Sequence, residues 1–373
     1  MTAMIDLARL RGDLPSATTH AYLNAGTFGP VPKPAADAMR EHLEEAYIWG
    51  RIGARGYAAW DGLTARARTA FAGVAGCPED EIALTHSTTD GCNTVIWALD
   101  WSPGDEVITT TDEHPGLTAP LDELALRQGV VIREVAPTRE AIAAAIGERT
   151  RLVAISHVLW TDGAVLPLPE ISADAHAAGA RVLVDGAQGG GAVPFRAADL
   201  GCDYYTYSGQ KWLCGPSGTG ALWVAPDALG ELHTPWPWYL SRDRRSGPEP
   251  QEWTIARRLD AGTVTLTAFA GIAAALEWRA TLGVEETCAR AAALAGTLRG
   301  LLEEVDSVEL ETPAAPSTIV AFRVPGREPA DVVTRCEEHG VLVRQIPTHG
   351  LVRASVAFWN DERDLERLVD AVR

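Results

Sequence analysis

Residues 182–188 read Val182-Leu-Val-Asp185-Gly-Ala-Gln188, and residues 203–220 read Asp203-Tyr-Tyr-Thr-Tyr-Ser208-Gly-Gln210-Lys211-Trp-Leu-Cys-Gly-Pro-Ser-Gly-Thr-Gly220. An apolar strand ends in an acid, and the following strand candidate ends just before a lysine. In open α/β sheets ligands sit beyond the carboxyl ends of the strands, so Asp185 and Lys211 would face one site together. The glycines around Pro216 let backbone approach closely.

An acid and a lysine at adjacent strand ends suit pyridoxal phosphate (PLP). The amine forms a Schiff base with the aldehyde, and the acid pairs with the pyridinium nitrogen. The same pair also reads as a salt bridge at a sheet edge, and this stretch alone leaves both open. A second segment, Thr85-His-Ser-Thr88-Thr89-Asp-Gly91, follows a strand and opens a helix. Hydroxyls and free N–H groups at a helix N-terminus make an anion site suited to phosphate, although ordinary capping uses the same residues. A third, Asp112-Glu-His114-Pro-Gly116, puts a histidine at a strand exit, where a ring can stack on an aromatic cofactor or stay a plain loop residue.

Outward from these segments the pattern is α/β. Strand candidates at 82–85, 106–110, 130–134, 152–157, 181–184, 204–207 and 221–224 alternate with helices at 91–99, 118–127, 139–146 and 168–178. That alternation predicts a mainly parallel sheet of seven strands. Residues 225–262 are rich in Pro, Trp and Arg without a clean period, and predict a long loop whose Trp236, Trp238 and Trp253 either line a pocket or pack on the surface. Helices at 266–282, 285–304, 329–339 and 362–372 and strands at 308–311, 318–323, 341–344 and 352–357 then predict a small α+β unit. The expected division is an N-terminal segment over 1–20 packing near the small unit, a large domain over 21–262 and a small domain over 263–373.

Composition narrows the function classes. The chain has 373 residues, 46% hydrophobic and 22% charged, with a net charge of −18. Nucleic-acid binding needs clustered Lys and Arg, which an acidic chain disfavours. No apolar run reaches the ~18–20 residues of a membrane helix, and the opening MTAMIDLARLRGDLP lacks an apolar signal core, so a cytoplasmic protein without membrane contact is expected. Among the 32 basic residues only Lys33 and Lys211 are lysine, so amine chemistry has two candidates. Six scattered cysteines carry no C-x-x-C pair, which argues against a disulfide framework or any metal site.

The order S-T-T-D-G-C-N, D-E-H-P-G, S-H-V-L-W-T-D-G, V-D-G-A-Q and S-G-Q-K-W-L-C-G-P resembles the class V aminotransferase family of fold-type I PLP enzymes. Within it the chain is most similar to the cyst(e)ine C–S lyase branch, sharing the run from Cys92 to Trp101, the E-H-P-G turn and the run from Ser156 to Leu168. The resemblance extends from about Tyr22 to Trp359.

It implies roles for individual residues. Lys211 carries PLP, Asp185 keeps the ring nitrogen protonated, Gln188 bonds the ring hydroxyl, and His114 stacks on the ring. Thr88, Thr89, Ser208 and Gln210 hold the phosphate. Thr263, in L-D-A-G-T, reaches the phosphate of a neighbouring subunit, so the resemblance implies a homodimer with shared sites. Arg353, in L-V-R-A-S, takes the α-carboxylate of an amino-acid substrate by two-point contact. Asn24 and Trp160 are further substrate-side candidates.

Cysteine desulfurases carry a nucleophilic cysteine shortly before that arginine, whereas here Val343-Arg-Gln-Ile-Pro-Thr-His-Gly350 has none. Trp160 stands where desulfurases have a small polar residue, as in the lyase branch. The expectation is therefore β-elimination from cysteine, cystine or a cysteine S-conjugate. Alternatives are decarboxylation with oxidative deamination of an S-conjugate, as in biosynthetic enzymes of lincosamide type, or the transamination or epimerisation known in the family. A non-catalytic binding module would be expected to lose the lysine or the acid, and both are present.

Overall fold

The computed structural model describes residues 6–243, 249, 251–313 and 317–373. Its centre is a seven-stranded sheet. In spatial order the strands are Ile82–Thr85, Gly220–Val224, Tyr204–Ser208, Arg181–Asp185, Thr150–Ser156, Glu106–Thr110 and Val131–Val135. All neighbours are parallel except that Gly220–Val224 runs antiparallel to both of its own. The inner strands are buried on both faces, which is why they read as continuous apolar or aromatic runs. Helices Thr88–Ala98, Pro115–Gln128, Arg139–Ala145 and Leu168–Ala177 intervene between strands, close to their expected bounds.

Two long helices, Lys33–Trp49 and Gly53–Ala75, were not read from the sequence. They pack on Leu266–Ala280, whose Phe269, Ile272, Ala273 and Leu276 belong to the core of the large sheet. The 225–262 stretch is a loop as expected, with one short antiparallel pair, Arg242–Asp243 with Gln251–Glu252; residues 244–248 and 250 of it lie outside the described residues.

A second, antiparallel sheet runs Glu309–Leu310, Ile319–Arg323, Leu351–Ser355, Arg344–Ile346. Its core joins Phe322, Val352 and Val332 to Leu298 and Leu302 of Val284–Glu303 and Leu365 and Leu368 of Glu362–Val372. The single strand expected over 341–344 is split. Val341–Leu342 pairs in parallel with Ala21–Tyr22, and Arg344–Ile346 turns to pair with Leu351–Ser355. Before Ala21 the chain is tied to the C-terminal part: Arg11 donates to the Trp359 carbonyl and ion-pairs with Asp361 and Asp364. Among the described residues no helix is long and apolar enough to cross a membrane.

Candidate active site

Strand pairing places the chemistry. Asp185 and Ser208 are the last residues of adjacent parallel strands, and Lys211 follows in the turn beyond. The turn is tight: Cys214 adopts φ 59°, and the Gly215 N–H donates to the Gly209 carbonyl at 2.8 Å. On the other side Ser87 caps the helix Thr88–Ala98, accepting from the Asp90 N–H at 3.1 Å. Gly91 lets that helix lie against the sheet, since a Cβ there would sit 1.9 Å from Thr206 Oγ1.

These ends enclose a cavity of about 260 Å³. Of the residues singled out from the sequence, Lys211, Asp185, His114, Thr88, Thr89, Gln188, Ser208, Gln210, Trp160 and Arg353 all line it. Asn24 and Thr263 do not. Asn24 lies behind the wall, its Oδ1 accepting from the Thr27 hydroxyl at 2.7 Å. Thr263 lines a separate cavity of about 600 Å³ beside Ile52, Tyr57 and Tyr239. Trp236, Trp238 and Trp253 are absent from the Lys211 cavity, so this pocket does not use them. Arg344, which sequence reading missed, also lines it, as do Gly26, Thr27 and Phe28. Arg344 opens the strand Arg344–Ile346, nine residues before Arg353, and no motif marks it.

Burial drives the electrostatics. Lys211 is half-buried in the cavity wall, and its amine is pulled down to about 8, chiefly by lost solvation; Asp185 opposes this, while Arg353 and Arg344 add to it. Burial likewise raises the Asp185 carboxyl above the usual carboxylate range, against Lys211 and the Ala187 N–H, which donates to Oδ1 at 2.8 Å. His114 is pushed down to about 4, first by burial and then by Lys211, Arg353 and Arg344, so its ring is neutral near pH 7. Its Nδ1 accepts from the Gly116 N–H at 2.9 Å, which places the proton on Nε2, and its ring meets Trp160 edge-on at 5.1 Å. Arg353, 2% exposed, donates from Nη1 to the Trp160 carbonyl at 2.6 Å.

The residues fit the group expected from the sequence. Thr88 Oγ1 and Ser208 Oγ are buried hydroxyls without a hydrogen-bond partner. Buried polar atoms are normally satisfied, so this cluster at an N-terminal helix turn fits a phosphate. A protonated ring nitrogen would give Asp185 the cation that lets a buried carboxylate stay ionised. Gln188 is already engaged, accepting from Trp212 Nε1 and donating to the Gly26 carbonyl, both at 2.9 Å, so its orientation is fixed. None of the six cysteines lines the cavity; Cys336 is buried in the core of the second sheet.

The chain is 33% identical over 391 residues to a probable cysteine desulfurase of Pseudomonas aeruginosa, covering 96% of this chain and 95% of that one. It is 29% identical to the isopenicillin N epimerase of Streptomyces clavuligerus, over 99% and 98% of the two. Among solved structures, the cystine C–S lyase C-DES in complex with its product cysteine persulfide superposes with a TM-score of 0.92 at 31% identity, over 96% of this chain and 98% of the other. A C-DES mutant with glycine covalently linked to its PLP cofactor gives 0.93 at 30% identity, over 97% and 98%. The architecture is thus the α/β fold of those PLP enzymes, fold type I. The aminotransferase class-V model matches residues 22–368, and the chain belongs to that family.

Proposed function

We propose that this protein is a PLP-dependent C–S lyase, eliminating across Cα and Cβ of cysteine, cystine or a cysteine S-conjugate to give a thiol or persulfide, pyruvate and ammonia. One observation carries the reading: Lys211, the buried carboxyl of Asp185 and the buried guanidinium of Arg353 share a cavity whose wall contains no thiol. The likeness to C-DES supports it. When bound, PLP supplies an aldehyde for the substrate amine and a ring that accepts electron density.

The remaining work falls to side chains. Thr88, Thr89, Ser208 and Gln210 would hold the phosphate, and Gln188 and Asp185 the two edges of the ring. Arg353 binds the α-carboxylate and so fixes which bond at Cα faces Lys211, an orientation effect. Lys211, its amine near 8 rather than the usual 10.5, is partly neutral at physiological pH and takes the Cα proton as general base. Expulsion of the sulfur group needs no protein nucleophile, which suits a site without cysteine. The released 2-aminoacrylate takes up water to give pyruvate and ammonia. His114 and Trp160, perpendicular to each other, wall one face.

The same reading includes a homodimer. Thr263 faces away from the Lys211 cavity and lines the second cavity, among exposed apolar side chains that include Ile52 and Tyr57. A second copy there would cover that face and bring Thr263 to its partner's site.

The test is a panel of cysteine, cystine and S-conjugates of increasing bulk, with thiol, pyruvate and product masses recorded. Stoichiometric thiol and pyruvate are expected from at least one member. Absence of pyruvate from all of them overturns the reading, and carbon dioxide with an aldehyde under air would point to decarboxylation instead.

A further inference from the structure

Between Asn24 and Gly29 the backbone threads through the site. A Cβ on Gly26 would lie 2.7 Å from Ser355 Oγ, 2.9 Å from Gln188 Oε1 and 3.2 Å from Arg353 Nη2. A Cβ on Gly29 would lie 2.1 Å from the Lys211 carbonyl oxygen, and the Gly29 N–H donates to the Gln210 carbonyl at 2.8 Å. These few residues therefore touch the lysine turn, the glutamine at the ring end and the arginine at the carboxylate end. Two glycines without side chains make that approach possible.

Thr27 lies at the centre of this run and lines the cavity. Its hydroxyl spends its one proton on Asn24 Oδ1, at 2.7 Å. Both lone pairs then remain to accept, and both face guanidinium groups: Arg353 Nη2 at 3.3 Å and Arg344 Nη1 at 3.5 Å. Arg344 and Arg353 are direct partners on neighbouring antiparallel strands, a pairing in which like charges repel. The shared oxygen gives the two cations a common acceptor. Arg353 is consequently held at two points, by the Trp160 carbonyl on Nη1 and by Thr27 on Nη2, while its Nε is buried without a partner.

We propose that Thr27 is a positioning residue for carboxylate recognition: its hydroxyl, oriented by Asn24, sets the plane in which the Arg353 fork meets the substrate. The proposal rests on the reading that Arg353 binds the α-carboxylate. It makes Asn24, which stands behind the cavity wall, an indirect contributor to substrate binding.

The experiment is a titration of the holoenzyme followed by the visible absorbance of its cofactor, with alanine and with ethylamine, which is alanine without the carboxylate. Neither has a leaving group on Cβ, so β-elimination does not enter, and absorbance is read at mixing, before any slower turnover. Thr27→Val keeps the shape and removes the hydroxyl, and Thr27→Ser keeps the hydroxyl. In Thr27→Val the alanine Kd should rise about 10-fold, the size of a lost hydrogen bond to a charged group, and in Thr27→Ser it should return to within about 2-fold of the parent. The ethylamine Kd should not change. Should Thr27→Val fail to fold, Asn24→Ala takes its place, with a rise of about 3-fold for alanine and none for ethylamine. Unchanged alanine binding, or equal weakening of both ligands, overturns the proposal. A parent enzyme that does not prefer alanine over ethylamine instead removes the Arg353 reading beneath it.

Discussion

Ser156 and Asp185 stand in register at the ends of neighbouring parallel strands, and Ser156 is bound twice to Glu113. Its N–H donates to Glu113 Oε1 at 3.0 Å and its hydroxyl to Oε2 at 2.5 Å, while the Thr110 hydroxyl donates to Oε1 at 2.7 Å. One buried carboxyl group thus ties together the exits of strands Glu106–Thr110 and Thr150–Ser156, immediately before His114.

Burial is the main force on Glu113, raising its carboxyl to about 7 against the hydrogen bonds from Ser156 and Thr110; Asp185 raises it further. The folded protein therefore holds this proton more tightly than the unfolded chain. Glu113 contributes its stability in full below about pH 4.5, the ordinary glutamate value, and that contribution is lost as pH rises through 7. Glu113→Gln has no such dependence. The difference in unfolding free energy between wild type and Glu113→Gln should fall between pH 4.5 and 7, by at most about 1.4 kcal/mol per pH unit. Urea unfolding at several pH values measures it, and a constant difference sinks the assignment.

Lys211 and Asp185 should separate by function. On the proposed reading Lys211→Ala removes both the covalent anchor and the base, so thiol release should drop about 10³-fold or more. Borohydride should then no longer fix the cofactor to the protein. Asp185→Asn would keep the anchor but lose the charge proposed to hold the ring proton. Its turnover should fall at least about 10²-fold, with borohydride labelling retained, as mass spectrometry of the labelled peptide would show.

A site without thiols makes its own prediction. Burial holds Cys77 and Cys214 up at about 12 and Cys336 up at about 11, so none is a ready thiolate. After turnover of cysteine or cystine, intact-protein mass should show no added sulfur, and Cys336→Ala should retain activity within about 2-fold, as a core change with modest loss of stability. A persulfide on any cysteine would place this chain with the desulfurases it resembles.

Most strands were legible as apolar or aromatic runs closed by a polar turn, and Asp185 and the turn carrying Lys211 mark two of their exits. Strand direction was not: nothing in Gly220–Val224 encodes that it runs against its neighbours. The helices Lys33–Trp49 and Gly53–Ala75 escaped because Tyr47, Trp49, Ile52 and Tyr57 put apolar side chains on solvent-facing positions and blur the period. Lys211, Asp185 and His114 stood out through local motifs, and Arg353 through the family resemblance. Arg344 and Thr27 reach the cavity only through tertiary pairing, across a strand ladder and a hydroxyl contact spanning more than 300 residues. One arginine and one threonine in an Arg-rich chain carry no local mark of that.

Arg353 offers a sharper chemical test than its removal. Fully buried, with its guanidinium pulled down to about 9 by burial and then by Arg344, it meets the cavity as a planar fork. Arg353→Lys retains a cation but loses the fork and the reach to both the Trp160 carbonyl and Thr27. KM for the amino-acid substrate should rise about 30- to 100-fold, corresponding to ~2–3 kcal/mol for a charge-assisted pair. Steady-state kinetics with the best S-conjugate of the panel checks it, and a KM within about 2-fold of the parent would assign the carboxylate elsewhere.

Around the second cavity Ile52 is 81%, Tyr57 69% and Tyr239 61% exposed. Scattered surface apolar residues are ordinary, but a contiguous group around one cavity marks an interaction surface. Arg55 lies over the Trp49 ring, 5.0 Å from its centroid, and ion-pairs with Glu45, so the face is ordered by its own contacts. If a second copy covers it, sedimentation should give twice the chain mass of 39.8 kDa. Ile52→Asp, which places a charge in that interface, should give the single-chain mass. Because Thr263 would then lose its partner's phosphate, the monomer should also retain cofactor less tightly, seen as loss of visible absorbance on dialysis. A wild-type protein sedimenting as a single chain, with cofactor fully held, would show that this face meets no second copy and that each Lys211 cavity is complete on its own.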